Sequence, residues 1–138
     1  MEDALTLEMK LPRITDIELV AIAGLEKMGV FLGIPDEKIG EARIAVIEAI
    51  INAFEHGGGD QPVVHVEFTM SKEKLTILVT DEGKGFNRDA VEEPKIENKI
   101  GSGHKRGWGL KLMESMSDDL IVESRPSGTR ITIVKNLV

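Results

Sequence analysis

Residues 48–56 read EAIINAFEH and place Glu48, Asn52 and His56 at every fourth position of an otherwise apolar run. In an α-helix, this spacing puts the three side chains in one row on one face. Bulky aliphatic residues occupy most of the remaining circumference, so we expect the helix to be largely buried. The polar row then faces either solvent or a polar cleft.

The residue types in this row favour a site for a metal ion and a phosphate group. Upstream the row reaches Glu41, and it contains no Lys, although a solvated helix edge typically carries Lys–Glu pairs. Carboxylate and amide oxygens suit Mg²⁺, so Asn52 is a candidate ligand. Glu48, one turn away, is a candidate acceptor for the proton of an attacking hydroxyl. His56 has a structural alternative, because a His at a helix end interacts with the last carbonyls and the helix dipole.

The composition indicates one globular domain and excludes several classes of function. With 138 residues, 41% of them apolar, we expect residues 1–138 to form a single domain around one core. No apolar stretch is long enough to span a bilayer, and with no Cys and no signal-peptide pattern we expect a cytoplasmic protein without a membrane partner. A formal net charge of −7 argues against direct nucleic-acid binding. Residues 95–111 are locally basic, which indicates either a solvated loop or a flap over a phosphate.

The order of the predicted elements indicates an α+β domain. Helices come early in the chain and strands mostly late, whereas parallel α/β proteins alternate the two. The predicted elements are an edge strand at 4–10, a helix at 16–32 with Thr15 as N-cap and an end near Gly33, a helix from Asp36 to His56, a hairpin of strands at 63–70 and 74–80, a helix at 110–116, and strands at 119–124 and 129–136. Residues 81–107 show no period and predict a long loop, a kind of segment that is usually functional or disordered.

A first glycine-containing segment could bind a base. In DEGKGF, residues 81–86, Asp81 ends an apolar strand, and Gly83 and Gly85 follow. A simple turn would explain this pattern. It also suits a nucleotide, because an Asp can accept a hydrogen bond from an exocyclic amine such as that of adenine, and glycines let the backbone lie against a flat base. In the later segment SGTRITI, the hydroxyl of Thr129 could reach a base directly or through water, although a Thr in a strand needs no functional explanation.

A second glycine-containing segment, RGWGLKLM at residues 106–113, places Gly107 and Gly109 at the start of a helix. The free N–H groups at a helix N-terminus favour phosphate, and Lys105 and Arg106 add positive charge beside them. The alternative is an ordinary loop that leads into a helix. The segment is not a P-loop, because the pattern G-x-x-x-x-G-K-[ST] is absent from the chain.

Together these segments resemble the GHKL ATPase superfamily, which has the Bergerat nucleotide-binding fold. EAIINAFEH looks like its N box, DEGKGF and RGWGLKLM look like its two glycine boxes, and GTRITI looks like its final Gly-Thr strand. Within the superfamily, the E-A-x-x-N-A-x-x-H form of the N box and the run LKLMESMSDD are similar to the anti-sigma factor serine kinases. The resemblance implies a two-layer α+β sandwich, with helices on one face of a mixed, mostly antiparallel sheet.

The resemblance also implies roles for individual residues. Glu48 would be the general base, and Asn52 would coordinate Mg²⁺. Asp81 would bind the adenine amino group of ATP, with support from Thr129. The other expected nucleotide contacts are Gly83, Gly85, Lys105, Arg106, Gly107, Gly109 and Leu110, and residues 87–106 would form the ATP lid.

The function that the resemblance implies is that of a Mg²⁺- and ATP-dependent serine-protein kinase that also acts as a partner-switching regulator. Family members transfer the γ-phosphoryl group to a Ser or Thr of a small anti-anti-sigma protein with a STAS domain. Many also sequester a sigma factor, and they are usually homodimers. The alternative is a nucleotide-binding regulatory module that sequesters a partner without phosphoryl transfer. We do not expect a sensor histidine kinase, because the chain has no room for a dimerising helical hairpin with a phospho-accepting His.

Overall fold

The computed structural model describes residues 3–56, 62–81, 105–125 and 128–138, which form a five-stranded sheet and three helices. The strands are β1 (Leu5–Pro12), β2 (Val63–Met70), β3 (Lys74–Asp81), β4 (Asp119–Arg125) and β5 (Gly128–Asn136). The helices are α1 (Glu18–Leu32), α2 (Asp36–His56) and α3 (Lys105–Ser115). The α+β class is confirmed, and each predicted helix and strand is present.

The sheet has the strand order β1-β2-β3-β5-β4, and every neighbouring pair is antiparallel. The described strands therefore contain no parallel pair, where the resemblance implies a mixed sheet. β1 lies at one edge, as predicted, and β2 and β3 form the predicted hairpin. β3 pairs with β5 so that Thr80 lies opposite Arg130. This register sets the end of β3 beside the start of β5.

The core lies between the helices and one face of the sheet. Successive side chains of a strand point to opposite faces, and every second residue of β2 is fully buried, namely Val64, Val66, Phe68 and Met70. The same alternation in β3 and β5 buries Leu75, Ile77, Val79, Ile131 and Ile133. Burying an aliphatic or aromatic side chain of this size contributes about 1.5–3 kcal/mol. The other face of these strands is only partly buried.

The start of α1 differs from the prediction. Thr15 was a reasonable N-cap on sequence, but the N-cap position is Ile17, and no side chain caps this end of the helix. The chain first turns through Asp16, whose φ of 67° is left-handed, a conformation that Asp adopts more readily than most residues. The end of α1 is as predicted, because Gly33 forms the C-cap with a φ of 69°.

α2 is the central helix, and its predicted bounds are confirmed. It contacts α1, α3 and strands β2, β3 and β5. Its small residues Ala42, Ala45, Ala49 and Ala53 are all buried, which lets the helix lie close to its neighbours. The N box therefore lies on an element that is enclosed on several sides.

A buried lysine links three elements of the fold. Lys135 of β5 is only 5% exposed, and its Nζ donates to Glu41 Oε1 of α2 at 2.7 Å. The same ammonium group donates to the carbonyl oxygen of Met116, just beyond the end of α3, at 3.0 Å. The hydrogen bond and the charge of Lys135 lower the pKa of Glu41 below its ordinary value of 4.5. Glu41, which the sequence places in the polar row, thus has a structural partner.

Candidate functional site

The polar row of α2 is divided by its surroundings. Asn52 is buried, at 3% exposure, while Glu48 and His56 are half-buried and Glu55 is exposed. Together with the pairing of Glu41, this means that neither interpretation of the row holds along its whole length. Asn52 is thus shielded from solvent, with Glu48 one turn before it, and its role in a cleft stays a prediction.

The amide of Asn52 has unused hydrogen-bonding capacity. Its Nδ2 is buried, and no hydrogen-bond partner is found for it among the described residues. Leaving such a group unpaired costs roughly 1–3 kcal/mol, so native proteins keep few of them. A buried polar atom in this condition marks a place where a polar ligand can bind.

Asp81 and Thr129 are brought together by the pairing of β3 with β5. Both are buried and project towards the helices, at 2% and 5% exposure. The backbone N–H of Thr129 donates to Asp81 Oδ2 at 3.2 Å, which orients the carboxylate. The hydroxyl of Thr129, like the Asn52 amide, has no hydrogen-bond partner within the part of the chain that the structure describes. Because α2 packs on β3 and β5, the side chains of Asp81 and Thr129 lie between α2 and the sheet.

Gly128 is essential to this arrangement, and sequence reasoning did not select it. Its φ is +143°, which favours glycine. A Cβ at this position would overlap the backbone oxygen of Asp81 and lie 3.0 Å from Asp81 Oδ1. Only a residue without a side chain therefore lets the start of β5 approach Asp81 this closely.

Ser124 is a second residue that sequence reasoning missed. It lies directly opposite Thr129 in the pairing of β4 with β5, and its Oγ is buried with no partner among the described residues. The sequence could have indicated this pairing, since only two residues, 126 and 127, separate the strands, and so short a connection fixes the register once both strands are assigned.

The second glycine box lies within the first turns of α3. This helix begins at Lys105, five residues before the predicted start, so the last two residues assigned to the lid are helical. Gly109 and Leu110 are buried, and α3 packs against α2. Of Lys105, Arg106 and Gly107 the structure describes the backbone only. Gly83, Gly85 and the lid from residue 87 to residue 104 lie outside the described residues, so their roles stay predictions.

The described residues suit a magnesium ion that takes few ligands from the protein and the rest from phosphates and waters. Among the described residues, no three His, Asp or Glu side chains come together as a metal cluster. Mg²⁺ usually takes one or two protein oxygens and completes its shell with phosphates and waters. The side-chain oxygen of Asn52 meets that requirement, and its unpaired Nδ2, which is a donor, can serve a phosphate oxygen.

No helix in the described ranges combines the length and the apolar character needed to cross a membrane.

Comparison with known sequences gives a consistent result. Residues 17–135 match the family described as the histidine kinase-like ATPase domain. The serine-protein kinase RsbW of Staphylococcus aureus is 30% identical, over 94% of this chain and 85% of that protein. RsbW of Bacillus velezensis is 31% identical, over 95% of this chain and 85% of that protein.

Solved structures share the fold at lower sequence identity. The RsbU and RsbW domains of a Mycobacterium tuberculosis protein superpose with a TM-score of 0.68 at 19% identity, over 96% of this chain. The histidine kinase domain of a blue-light activated kinase from Erythrobacter litoralis gives 0.57 at 21% identity, over 84% of this chain. The chain spans 32% of the first of these structures and 64% of the second.

Proposed function

Because this chain belongs to the RsbW family of serine-protein kinases, with their histidine kinase-like ATPase domain, we propose that it binds Mg²⁺ and ATP between α2 and the sheet and phosphorylates a partner protein. The acceptor that we propose is a Ser or Thr of a STAS-domain anti-anti-sigma protein. The same module would sequester a sigma factor, and it would act as a cytoplasmic homodimer.

The observation that carries the site assignment is the unpaired, buried amide of Asn52. If Asn52 served packing alone, an apolar residue at this position would be more stable, because the buried Nδ2 has lost water without gaining a partner. A bound nucleotide would supply the missing interaction, because a phosphate oxygen can accept from Nδ2, while the side-chain oxygen Oδ1 is the atom that would hold Mg²⁺. We therefore assign Asn52 as the protein ligand of Mg²⁺.

The assignment of the adenine-binding end of the site rests on the position of Asp81. Its carboxylate is buried and is oriented by the N–H of Thr129, and a carboxylate accepts from the exocyclic amine of adenine. The unpaired hydroxyl of Thr129 is placed beside it for a second contact with the base. The phosphate end lies at the first turns of α3, where backbone N–H groups and the helix dipole favour negative charge.

In the proposed reaction, the hydroxyl oxygen of the partner's Ser or Thr attacks the γ-phosphorus of ATP, and ADP leaves. Glu48 accepts the proton of that hydroxyl. Glu48 is half-buried one turn from Asn52, so one helix positions both groups. Mg²⁺, when bound, neutralises charge on the phosphate oxygens. Phosphoryl transfer depends mostly on positioning and charge neutralisation, which a rigid central helix provides.

The decisive experiment combines the full chain with γ-labelled ATP and a STAS-domain protein. Glu48→Gln should lower the rate of phosphoryl transfer by about 10²-fold or more while ATP affinity stays within about twofold, because the base acts only on the proton. Glu55→Gln is the matched control, since Glu55 is an exposed glutamate of the same helix, and it should leave transfer unchanged.

Two results would contradict the proposal. Undiminished transfer by the Glu48→Gln protein would remove Glu48 as the base. Normal ATP binding with no transfer to any STAS-domain protein would instead support a regulatory module that holds a partner without chemistry.

A further inference from the structure

Ser124 of β4 carries a buried hydroxyl that the proposed reaction does not use. No hydrogen-bond partner for its Oγ is found among the described residues. Ser124 lies directly opposite Thr129, so the two side chains project from the same face of the sheet, towards the helices. Thr129 Oγ1 is in the same condition, since it is buried and has no partner within the described ranges.

Two unpaired hydroxyls on directly paired residues call for a shared explanation. Buried polar atoms without a partner are few in native proteins, and a pair of them on an apolar sheet face lowers the stability of the ligand-free protein. With Asp81 they form a row across three neighbouring strands, β3, β5 and β4. A polar row of this kind matches the edge of a flat ligand that carries several hydrogen-bonding atoms.

The strand spacing shows which atoms these groups can serve. Neighbouring strands lie about 4.8 Å apart, so Ser124 is two spacings, roughly 10 Å, from Asp81, and the two cannot contact the same substituent. The Cβ atoms of directly opposite residues are about 4.5–5.5 Å apart. Ser124 and Thr129 make no hydrogen bond to each other, and one water can bridge two hydroxyls across such a gap with a third partner on the ligand.

We propose that Ser124 is a further ligand-binding residue of the nucleotide site, which contacts the nucleobase through a water molecule shared with Thr129. The inference rests on the proposed function, since it requires a base beside Asp81. Asp81 accepts from the exocyclic amine, and the shared water donates to a ring nitrogen of the same purine.

Calorimetric titration of the full chain with ATP and Mg²⁺ tests the assignment. Ser124→Ala should bind ATP about 2- to 10-fold more weakly, because this is the effect expected from the loss of one neutral hydrogen bond. The Tm of the ligand-free variant should be unchanged or higher, because the substitution removes a buried hydroxyl that has no partner. Ser124→Thr, which keeps the hydroxyl, should retain most of the affinity.

Combining variants tests the shared water. Thr129→Val should also weaken binding, and the double variant with Ser124→Ala should bind no more weakly than the weaker single variant, since both side chains act through one water. Thr132→Val is the matched control, because Thr132 lies on β5 but on the opposite face of the sheet, and its ATP affinity should equal that of the unmodified chain.

Three outcomes overturn the inference or its premise. A lower Tm with unchanged ATP affinity in Ser124→Ala would make Ser124 a structural residue. Losses that add in the double variant would exclude a shared water. Failure of the unmodified chain to bind ATP would overturn the proposed function itself, which the other two outcomes leave standing.

Discussion

At the scale of single residues, the candidate site is marked by polar groups that the fold buries and leaves without a hydrogen-bond partner among the described residues. Asn52 and Thr129 each keep a buried polar atom without a partner in the described part of the chain, and Asp81 is held by a backbone N–H. The sequence predicted all three, because a polar residue in an apolar helix or at a strand end is visible in the pattern. The sequence could not predict that Glu41, in the polar row of α2, forms an ion pair with Lys135.

Gly128→Ala is the sharpest test at this scale. The new Cβ would overlap the backbone oxygen of Asp81 and would require a φ of +143°, so the start of β5 must move. We expect a loss of about 1–3 kcal/mol in the free energy of unfolding. ATP affinity should fall by about tenfold or more, because the N–H of Thr129 no longer orients the Asp81 carboxylate. Chemical denaturation and calorimetric titration measure the two effects.

Gly40→Ala provides the control for this substitution. Gly40 lies in α2, and a Cβ added there meets no atom within 4 Å. The variant should be as stable as the unmodified chain or more stable by up to about 1 kcal/mol, since Ala is the better helix former. Unchanged ATP affinity in Gly128→Ala would contradict the assignment of Asp81 to the base.

At the scale of elements, the prediction was good where one local pattern acts alone and poor where elements meet. The bounds of α2 and the hairpin of β2 with β3 follow from periodicity and turn residues. The start of α1 does not, because its N-cap Ile17 carries no capping side chain, and α3 begins before the glycine-containing segment that the sequence assigns to a loop. The place of Lys135 in the core was equally hidden, since its partners lie on α2 and at the end of α3.

The link between Lys135 and Glu41 predicts a dependence of stability on pH. Lys135 lowers the pKa of Glu41 in the folded protein, so the ionised carboxylate stabilises the fold above pH 4.5. This contribution is lost as the pH falls below 4.5 and through the lowered pKa. Glu41→Gln should therefore have a lower Tm than the unmodified chain at pH 7, and the difference should shrink on acidification. Thermal unfolding at several pH values measures it.

The exposed Glu114 of α3 supplies the comparison, because Glu114→Gln removes a carboxylate that makes no such contact with Lys135. Its Tm should follow that of the unmodified chain at every pH. A Tm difference for Glu41→Gln that stays constant down to pH 3 would show that the carboxylate charge is not what Lys135 recognises.

At the scale of the whole molecule, α1 presents a surface that a partner can bind. Its exposed apolar side chains, which we call the α1 surface, are Leu19, Val20, Val30 and Phe31. Phe31 is 85% exposed, and Val30, which is 76% exposed, lines a groove of about 470 Å³ between α1 and α2. Large apolar groups in such positions typically mark protein interfaces. On the proposed function, we expect the STAS-domain partner to contact this surface.

Phe31→Lys should reduce affinity for the STAS-domain protein by about tenfold or more, because an exposed aromatic at an interface often contributes about 2 kcal/mol or more. ATP affinity should not change, since α1 lies apart from Asp81 and Thr129. Surface plasmon resonance with the immobilised partner measures the effect. Ile121→Lys, on the edge strand β4, is the control for adding a charge at an exposed apolar position. Intact partner binding with a loss of self-association in Phe31→Lys would reassign the surface to a second copy of the chain.

The strand order β1-β2-β3-β5-β4 also governs how the protein folds. The pairs β2–β3 and β4–β5 join neighbours in the chain and need only short loop closures, so they can form early. The pair β3–β5 must wait for the segment of residues 82–127 to close, and only that closure sets Asp81 beside Thr129. We therefore expect the proposed adenine site to be among the last parts of the molecule to assemble, so that a folding intermediate with both hairpins formed would not yet bind nucleotide.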